Sequence, residues 1–508
     1  MIYKHICLMV VGLGCSLLAK AQDKQQTTIT YNLAAETAIG TGDFTAFQLT
    51  SNRHDILATR SNTGYMRGAV NVEHSLGNGL ILSGAVDFIG SSHANHKNYL
   101  QQCYANLSYQ DFFLEFGTRE QQQAIRDDLL STGSFVKGTN AKPFLQFHIG
   151  TNGFWTVPFT KDWIQINFDG GYGRFLDSNY REEAFYRGDP GKGKNINTKY
   201  ATGIYMHQKH LYIRTNPKKR IFGLVGIEHM VQFGGTLYRY NSSDGTIHQK
   251  EKSSDLKAFF DVILPFGDSK FYEHDALEDW IFGNHVGMMT AQIGWNINND
   301  NLLQAYLDNP FEDGSGIRKG NGFDGLWGLQ YNNKASDVQY VRGAVIEYLQ
   351  TTNQSGPLHY DSRDYPVSTS GIVIGDYVTG NDDYYNHAAY DSYTHFGLTP
   401  GNPLIASPIY NKGGYTAYSD NRIKAWHFGV NGELTKQLSY LVKGSYQEGW
   451  GTYHAPLPTK HHSFDAMLQG TYTTGPWQIS AAYAFDKGNI YGDNSTFDLK
   501  IAFHGKIL

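Results

Sequence analysis

The residues best suited to hold a ligand lie in one long stretch, Gln350–Arg422. It carries Tyr360, Tyr365, Tyr377, Tyr384, Tyr385, Tyr390, Tyr393, Tyr410, Tyr415 and Tyr418, with Asp361, Arg363, Asp364, Asp382 and Asp383 among them. An aromatic ring covers the apolar face of a sugar, while carboxylates, amides and guanidinium groups bond to its hydroxyls. Weak contacts repeated along a polymer add through effective concentration, so no deep pocket is required. The residues expected to bind are Tyr360, Asp361, Arg363, Asp382, Tyr384, Tyr385 and Tyr390. Trp450, Tyr453 and His454 in the following connection are secondary candidates. The competing reading is that the tyrosines of a long lid pack against one another.

Catalytic patterns are weak by comparison. The chain has no G-x-S-x-G elbow, H-E-x-x-H zinc motif or complete phosphate loop. Ser254-Asp-Leu-Lys257 has S-x-x-K spacing without a K-T-G partner, and Ser480 with His504 would need to meet across strands. His387-x3-Asp391-x3-His395 would share a face of a helix, although its length is awkward for one ion. Asp382, Asp383 and Asp391, or Glu312–Gly316 with Asp324, offer oxygen ligands for a divalent cation in the outer connections. The expectation is no catalytic residue and no cofactor, with that cation as the one exception.

The elements that must position these residues are strands. Phe497, Leu499, Ile501 and Phe503 alternate with Asp498, Lys500, Ala502 and His504. Trp477–Asp486 and Phe464–Tyr472 repeat the pattern. Period two puts the apolar set on one strand face and the polar set on the other. Earlier strands are predicted at Ile29–Ala38, Tyr65–His74, Leu80–Ile89, Tyr99–Tyr109, Phe112–Gly117, Phe144–Ile149, Trp163–Gly173 and Thr202–Arg214. Further ones are Ile221–Phe233, His285–Asn296, Leu302–Leu307, Gly322–Tyr331, Val338–Leu349, Ile423–Glu433 and Leu438–Gly449. The total is 18, or 16 without the short Phe144–Ile149 and Leu302–Leu307.

Connections after odd-numbered strands are often long, as at Gly40–Gly64, Thr118–Pro143, Arg174–Tyr200, Gly234–Asn284 and Gln350–Arg422. Those after even-numbered strands are mostly short. This segregation, with both ends in the periplasm, suits a transmembrane antiparallel β-barrel. Glu120–Leu130 and Ser253–Gly283 have helical composition and are expected to fold into or over the barrel.

Composition agrees. Gly stands at 56, Tyr at 35 and Phe at 29 in 508 residues, yet mean hydropathy is only -0.43. Aromatic richness without net hydropathy fits strands that are greasy on one face only. Residues 1–21 have a positive start, an apolar core and Ala19-x-Ala21, as a cleaved secretory signal does; residues 22–508 form the mature barrel. Cleavage leaves Cys103 without an internal disulfide partner. The net charge of -5 and the lack of a basic stripe argue against nucleic acid as a partner.

Several stretches resemble the Wzi family of capsule-assembly proteins, its Bacteroidetes branch in particular: Ala35–Arg53 with Gly64–Arg67, Leu100–Leu107 with Phe116–Glu120, and Asn309–Gly316. The resemblance covers nearly the whole mature chain. It implies an 18-stranded barrel occluded by helical material in the outer membrane of a Gram-negative bacterium. It also implies a lectin-like protein that attaches capsular polysaccharide, amid outer-membrane lipid and lipopolysaccharide and near capsule export components. The family's helical plug lies toward the periplasmic side, whereas these segments start from the outer side. Leu508 departs from the aromatic ending common among bacterial barrels. The alternative function is a channel for sugars or small solutes.

Overall fold

Alternating side chains need two unlike environments, and closing a sheet on itself supplies both. The computed structural model describes residues 27–92, 98–187, 197–241, 243–264, 282–312, 314–356, 359–360, 378–379 and 381–508. Strands β1 (Thr27–Thr41), β2 (Thr63–Gly77), β3 (Leu80–Ser92), β4 (Asn98–Tyr109), β5 (Phe112–Thr118) and β6 (Leu145–Thr151) begin the ring. They are followed by β7 (Ile164–Arg174), β8 (Tyr205–Thr215), β9 (Ile221–Phe233), β10 (Asn284–Asn296), β11 (Asn301–Phe311) and β12 (Gly325–Asn333). The last six are β13 (Gly343–Gln350), β14 (Ile423–Glu433), β15 (Leu438–Gly451), β16 (Pro456–Thr474), β17 (Trp477–Gly488) and β18 (Asn494–Lys506).

Each strand pairs antiparallel with the next, and β1 pairs with β18 from Thr30↔Lys506 to Thr41↔Ser495. The ring therefore closes with 18 strands, and the two predicted as short, β6 and β11, both belong to it, β11 reaching 11 residues. No edge is left with unpaired backbone groups, the condition for strands to lie in lipid. The residues before the first described one include the expected signal segment, which lies outside the description.

The alternation sorts as expected. Phe497, Leu499 and Ile501 face outward and are exposed, while Asp498 and Ala502 are buried on the inner face. Rings gather on the outer wall near both ends. Trp477 packs on Phe503 at 4.8 Å and Phe112 on Trp155 at 5.6 Å toward the termini. Tyr348 packs on Trp426 at 4.8 Å toward the long loops. Such girdles mark the two interfaces of a membrane-spanning barrel.

The lumen is filled, and among the described residues hardly by helix. Segment 119–144 crosses the interior as turns and extended chain. Glu120–Leu130, expected to be partly helical, is not, because its side chains bind the barrel wall in place of one another. Arg126 pairs with Asp308 at 2.5 Å and donates to Gln292 at 3.0 Å. The Ser131 hydroxyl and the Thr132 N–H donate to Glu347 at 2.6 and 2.8 Å. Ser134 donates to Glu228 at 2.8 Å. In Ser253–Gly283 the only described helix is α3 (Leu256–Asp261), and residues 265–281 lie outside the description. The other described α-helices are α1 (Phe47–Thr50), α2 (Ser178–Arg187) and α4 (Gly314–Ile317). Among the described residues, occlusion is thus by irregular loop, with little helix.

Loop 42–62 adds to the plug. The Phe47 N–H donates to both oxygens of Asp486, at 3.0 and 3.1 Å, and Arg53 pairs with Glu36 at 2.7 Å. All of these carboxylates project from strands. Polar residues of the inner face thus serve as anchors for the loops.

Glu347 accepts bonds from Ser131, Thr132 and the Tyr306 hydroxyl. Glu347→Ala would strand those buried donors, and a loss of roughly 3 kcal/mol in unfolding free energy is expected. Denaturant unfolding of the purified barrel in detergent checks it. The outward-facing Leu499→Ala, which leaves every plug bond intact, should cost less.

Candidate functional site

The site lies where two long loops meet at the loop end of the barrel. The described part of 381–422 rests on segment 119–144 through its tyrosines. The Tyr385 hydroxyl donates to the Phe135 carbonyl and the Tyr393 hydroxyl to the Val136 carbonyl, the latter at 2.8 Å. Asn402 donates to Thr132 Oγ1 at 3.0 Å, and the Gly138 N–H to the Pro400 carbonyl at 2.6 Å. Gly401 permits the approach, since a Cβ there would collide with the Phe135 carbonyl and the Tyr385 hydroxyl.

This docking corrects part of the expected binding set. Tyr384, Tyr385 and Tyr390 are fully buried, and a ring without accessible surface offers no face to a sugar. They build the lid core and use their hydroxyls on buried groups, Tyr384 being bonded to Asn321 at 3.1 Å. Asp382 accepts from Ser355 at 2.6 Å and so closes a turn. Trp450 belongs to β15 and points to the outer wall, with the Lys424 ammonium 5.8 Å from its ring. Tyr453 donates to the Asn353 carbonyl at 2.7 Å beneath the Arg422 guanidinium. Tyr360 pairs through its backbone with Val378. Asp361 and Arg363 lie outside the described residues.

One space open at the lid is a cleft between α2 and residues 391–416, with about 700 Å³ of free volume including its mouth. Tyr180, Ala184 and Arg187 line one side. Their i, i+4, i+7 spacing puts them on one helix face, while Arg181 and Phe185 face inward and are buried. Tyr415, Asn411, Thr416 and Asp391 line the other side. Tyr200 completes the lining, stacked on Tyr238 at 4.5 Å.

The two arginines of α2 differ in what they can do. Arg181 holds both oxygens of Asp177 at 2.9 Å and also the Thr394 carbonyl, tying the helix to the lid. Arg187 uses only Nε, on the Glu183 carbonyl at 3.4 Å, and lies over the Tyr180 ring at 5.5 Å. Its remaining N–H groups bond to no described residue and are available to a ligand. A rim of half-exposed rings with a free guanidinium, an amide and a hydroxyl can bind a polyhydroxylated molecule. Sequence reasoning did not single out Tyr180 or Arg187; the spaced stripe in 178–187 was the available signal.

Other chemical candidates do not assemble. His387, Asp391 and His395 share no helix: Asn386–His387 pairs with Asp391–Ser392 in a hairpin, with Asp391 at φ 67°. His395 accepts from the Leu176 N–H at 3.1 Å and donates to the Lys142 carbonyl at 3.0 Å, leaving neither nitrogen for an ion. Asp324 accepts from the Asn353 and Gln354 N–H groups. Among the described residues, no group of three or more His, Cys, Asp or Glu could hold a metal. Ser480 bonds to Thr471 at 2.9 Å and His504 to Asn32 at 2.7 Å, so those two do not meet.

No protein-family model and no curated protein matches the chain. Among solved structures it is similar to Wzi of Escherichia coli, described as an outer-membrane protein involved in group 1 capsule assembly and a carbohydrate-binding β-barrel. The match has a TM-score of 0.53 at 10% identity, over 93% of this chain and 84% of that one. OccAB2 of Acinetobacter baumannii aligns at TM-score 0.47 and 10% identity, over 95% of this chain and 99% of its own. OprD of Pseudomonas aeruginosa aligns at 0.42 and 9%, over 95% and 96%. The likeness to Wzi bears on the fold, an 18-stranded antiparallel barrel of outer-membrane type.

The lid histidines set an acid limit. Burial pushes His395 down to about 4, and burial with the Lys199 charge pushes His387 down to about 3. A folded pKa below the ordinary 6.5 gives a contribution that is complete above pH 6.5 and falls as pH drops toward 4. Asp55, pushed up to about 6 by burial, opposes this by taking a proton in the folded state. Proteolysis of the loops at pH 4.5 should exceed that at pH 7, and His395→Gln should flatten the dependence. Equal cleavage of the native chain at both pH values would contradict this.

Proposed function

We propose that the protein is an outer-membrane, lectin-like polysaccharide-binding protein that acts by binding and not by turnover. Residues 1–21 are its export signal. The loop end faces outward, and the cleft between α2 and residues 391–416 contacts capsular polysaccharide, supporting capsule assembly or its attachment to the surface. The observation that carries this reading is the pairing of half-exposed Tyr180 and Tyr415 with the uncommitted guanidinium of Arg187 above a closed plug. The capsule-assembly role described for Wzi of Escherichia coli supports it by analogy of fold. The partners that follow are the capsule polymer, outer-membrane lipid and lipopolysaccharide, and capsule export components.

A channel for sugars or small solutes is the competing function. Segment 119–144 argues against it, since its bonds to Asp308, Glu228 and Glu347 stretch it across the lumen. The native barrel should show no steady conductance in a planar bilayer, and a stable open pore would favour the channel.

The binding test uses the producing cell's own capsule polymer, immobilised, with detergent-purified barrel. Native protein should be retained. Tyr180→Ala with Tyr415→Ala should weaken retention by about tenfold or more without changing the unfolding midpoint. Tyr385→Ala should instead lower stability, because that ring is core. Undiminished retention of a folded Tyr180/Tyr415 double variant would sink the cleft assignment.

A further inference from the structure

A second space lies inside the barrel, on the other side of the plug from the cleft. Gln48–Arg53 and Asp128–Leu129 roof it, and strands β15 to β18 with β1 wall it, enclosing about 740 Å³ of free volume with its opening. Leu129 is 46% exposed although it sits within the ring, so water reaches the loop tip. The lining positions of β15, β16 and β17 fall in the halves nearer the chain termini. The space is therefore a vestibule at the terminal end.

Its charges are not all satisfied. Glu36 accepts from Arg53 at 2.7 Å and from the Tyr65 hydroxyl at 2.8 Å, and Lys500 stands 4.0 Å from it. Asp128 accepts from the Gln123 N–H at 2.9 Å. Asp498 also lines the space, and one of its oxygens has no hydrogen-bond partner. Lys443 differs from the other cations. It is 9% exposed, lines the vestibule, and is bonded to none of the described residues. Arg53, a second cation, lines the same space. A buried ammonium beside a like charge is unfavourable until an anion joins it. Next to it along the wall, Gln469 donates to Thr471 at 3.2 Å and Thr471 shares a bond with Ser480 at 2.9 Å. These groups can turn their donors to a ligand oxygen.

We propose that the vestibule binds one oxyanion, a carboxylate or phosphate carried by a sugar, with Lys443 as its counter-ion and Thr471, Ser480 and Gln469 as hydrogen-bonding partners. Access is from the terminal end, so the site is separate from the outer cleft and stands whether or not the cleft binds polymer. The carboxylates in the lining admit a single anionic group and oppose a densely charged polyanion.

The test is calorimetric titration of the detergent-solubilised full barrel with glucuronate, glucose 1-phosphate, inorganic phosphate and glucose. Glucuronate or glucose 1-phosphate should bind at least about tenfold more tightly than glucose. Lys443→Gln should remove that preference, Lys443→Arg should keep it, and Arg187→Gln in the outer cleft should leave it unchanged. Inorganic phosphate binding as well as glucose 1-phosphate would assign the site to the free anion and overturn the sugar-borne ligand. Equal affinity for glucose and the anions, or an unaltered preference in a Lys443→Gln barrel of native unfolding midpoint, would overturn the proposal altogether.

Discussion

The plug depends on carboxylates that the barrel wall places inside it. Asp308, Glu228 and Glu347 sit on inner strand positions where water is scarce, and an unpartnered buried carboxylate is costly. Segment 119–144 supplies Arg126, Ser134, Ser131 and Thr132 to them in sequence. A strand that points an acid inward therefore also dictates where the loop must run. Within Glu120–Leu130 itself, Arg126 pairs with Asp308 and Glu120 with Arg67, so this stretch follows its wall partners as irregular chain.

Once that segment is fixed, the lid has a floor. Gly133, Phe135, Val136 and Gly138 present carbonyls and an N–H that the lid meets with Asn402, tyrosine hydroxyls and the Pro400 carbonyl. Buried irregular backbone needs partners for each polar group, and tyrosine gives a hydroxyl together with a large apolar ring. A lid rich in tyrosine is thus also a way to bury loops. Rings left at the rim, as at Tyr415, keep a surface available for a ligand.

The same plug divides the interior into two compartments of different character. The outer cleft is lined by rings, an amide and a guanidinium. The vestibule is lined by charged and hydroxyl-bearing strand positions. No shared residue lines both, so substitutions in one leave the other's lining intact.

Strand number, inner and outer faces and the long-loop end were all legible in the amino-acid order, because a period of two is a local property and lipid outside a closed ring enforces it. β6 and β11, each predicted as a short strand, were readable for the same reason. What the linear chain could not reveal was which tyrosines of 351–422 face water. Tyr384 and Tyr415 look alike in sequence; burial of one and exposure of the other follow from contacts with residues far away, such as Asn321. The helix face of Tyr180, Ala184 and Arg187 was local and readable, yet its role required the opposite wall, residues 391–416. The amino-acid sequence by itself determined the barrel, since alternation needs only neighbours. The tertiary structure alone decided the sites, since a cleft is made by segments that meet only after the ring has closed and the plug has found its carboxylates.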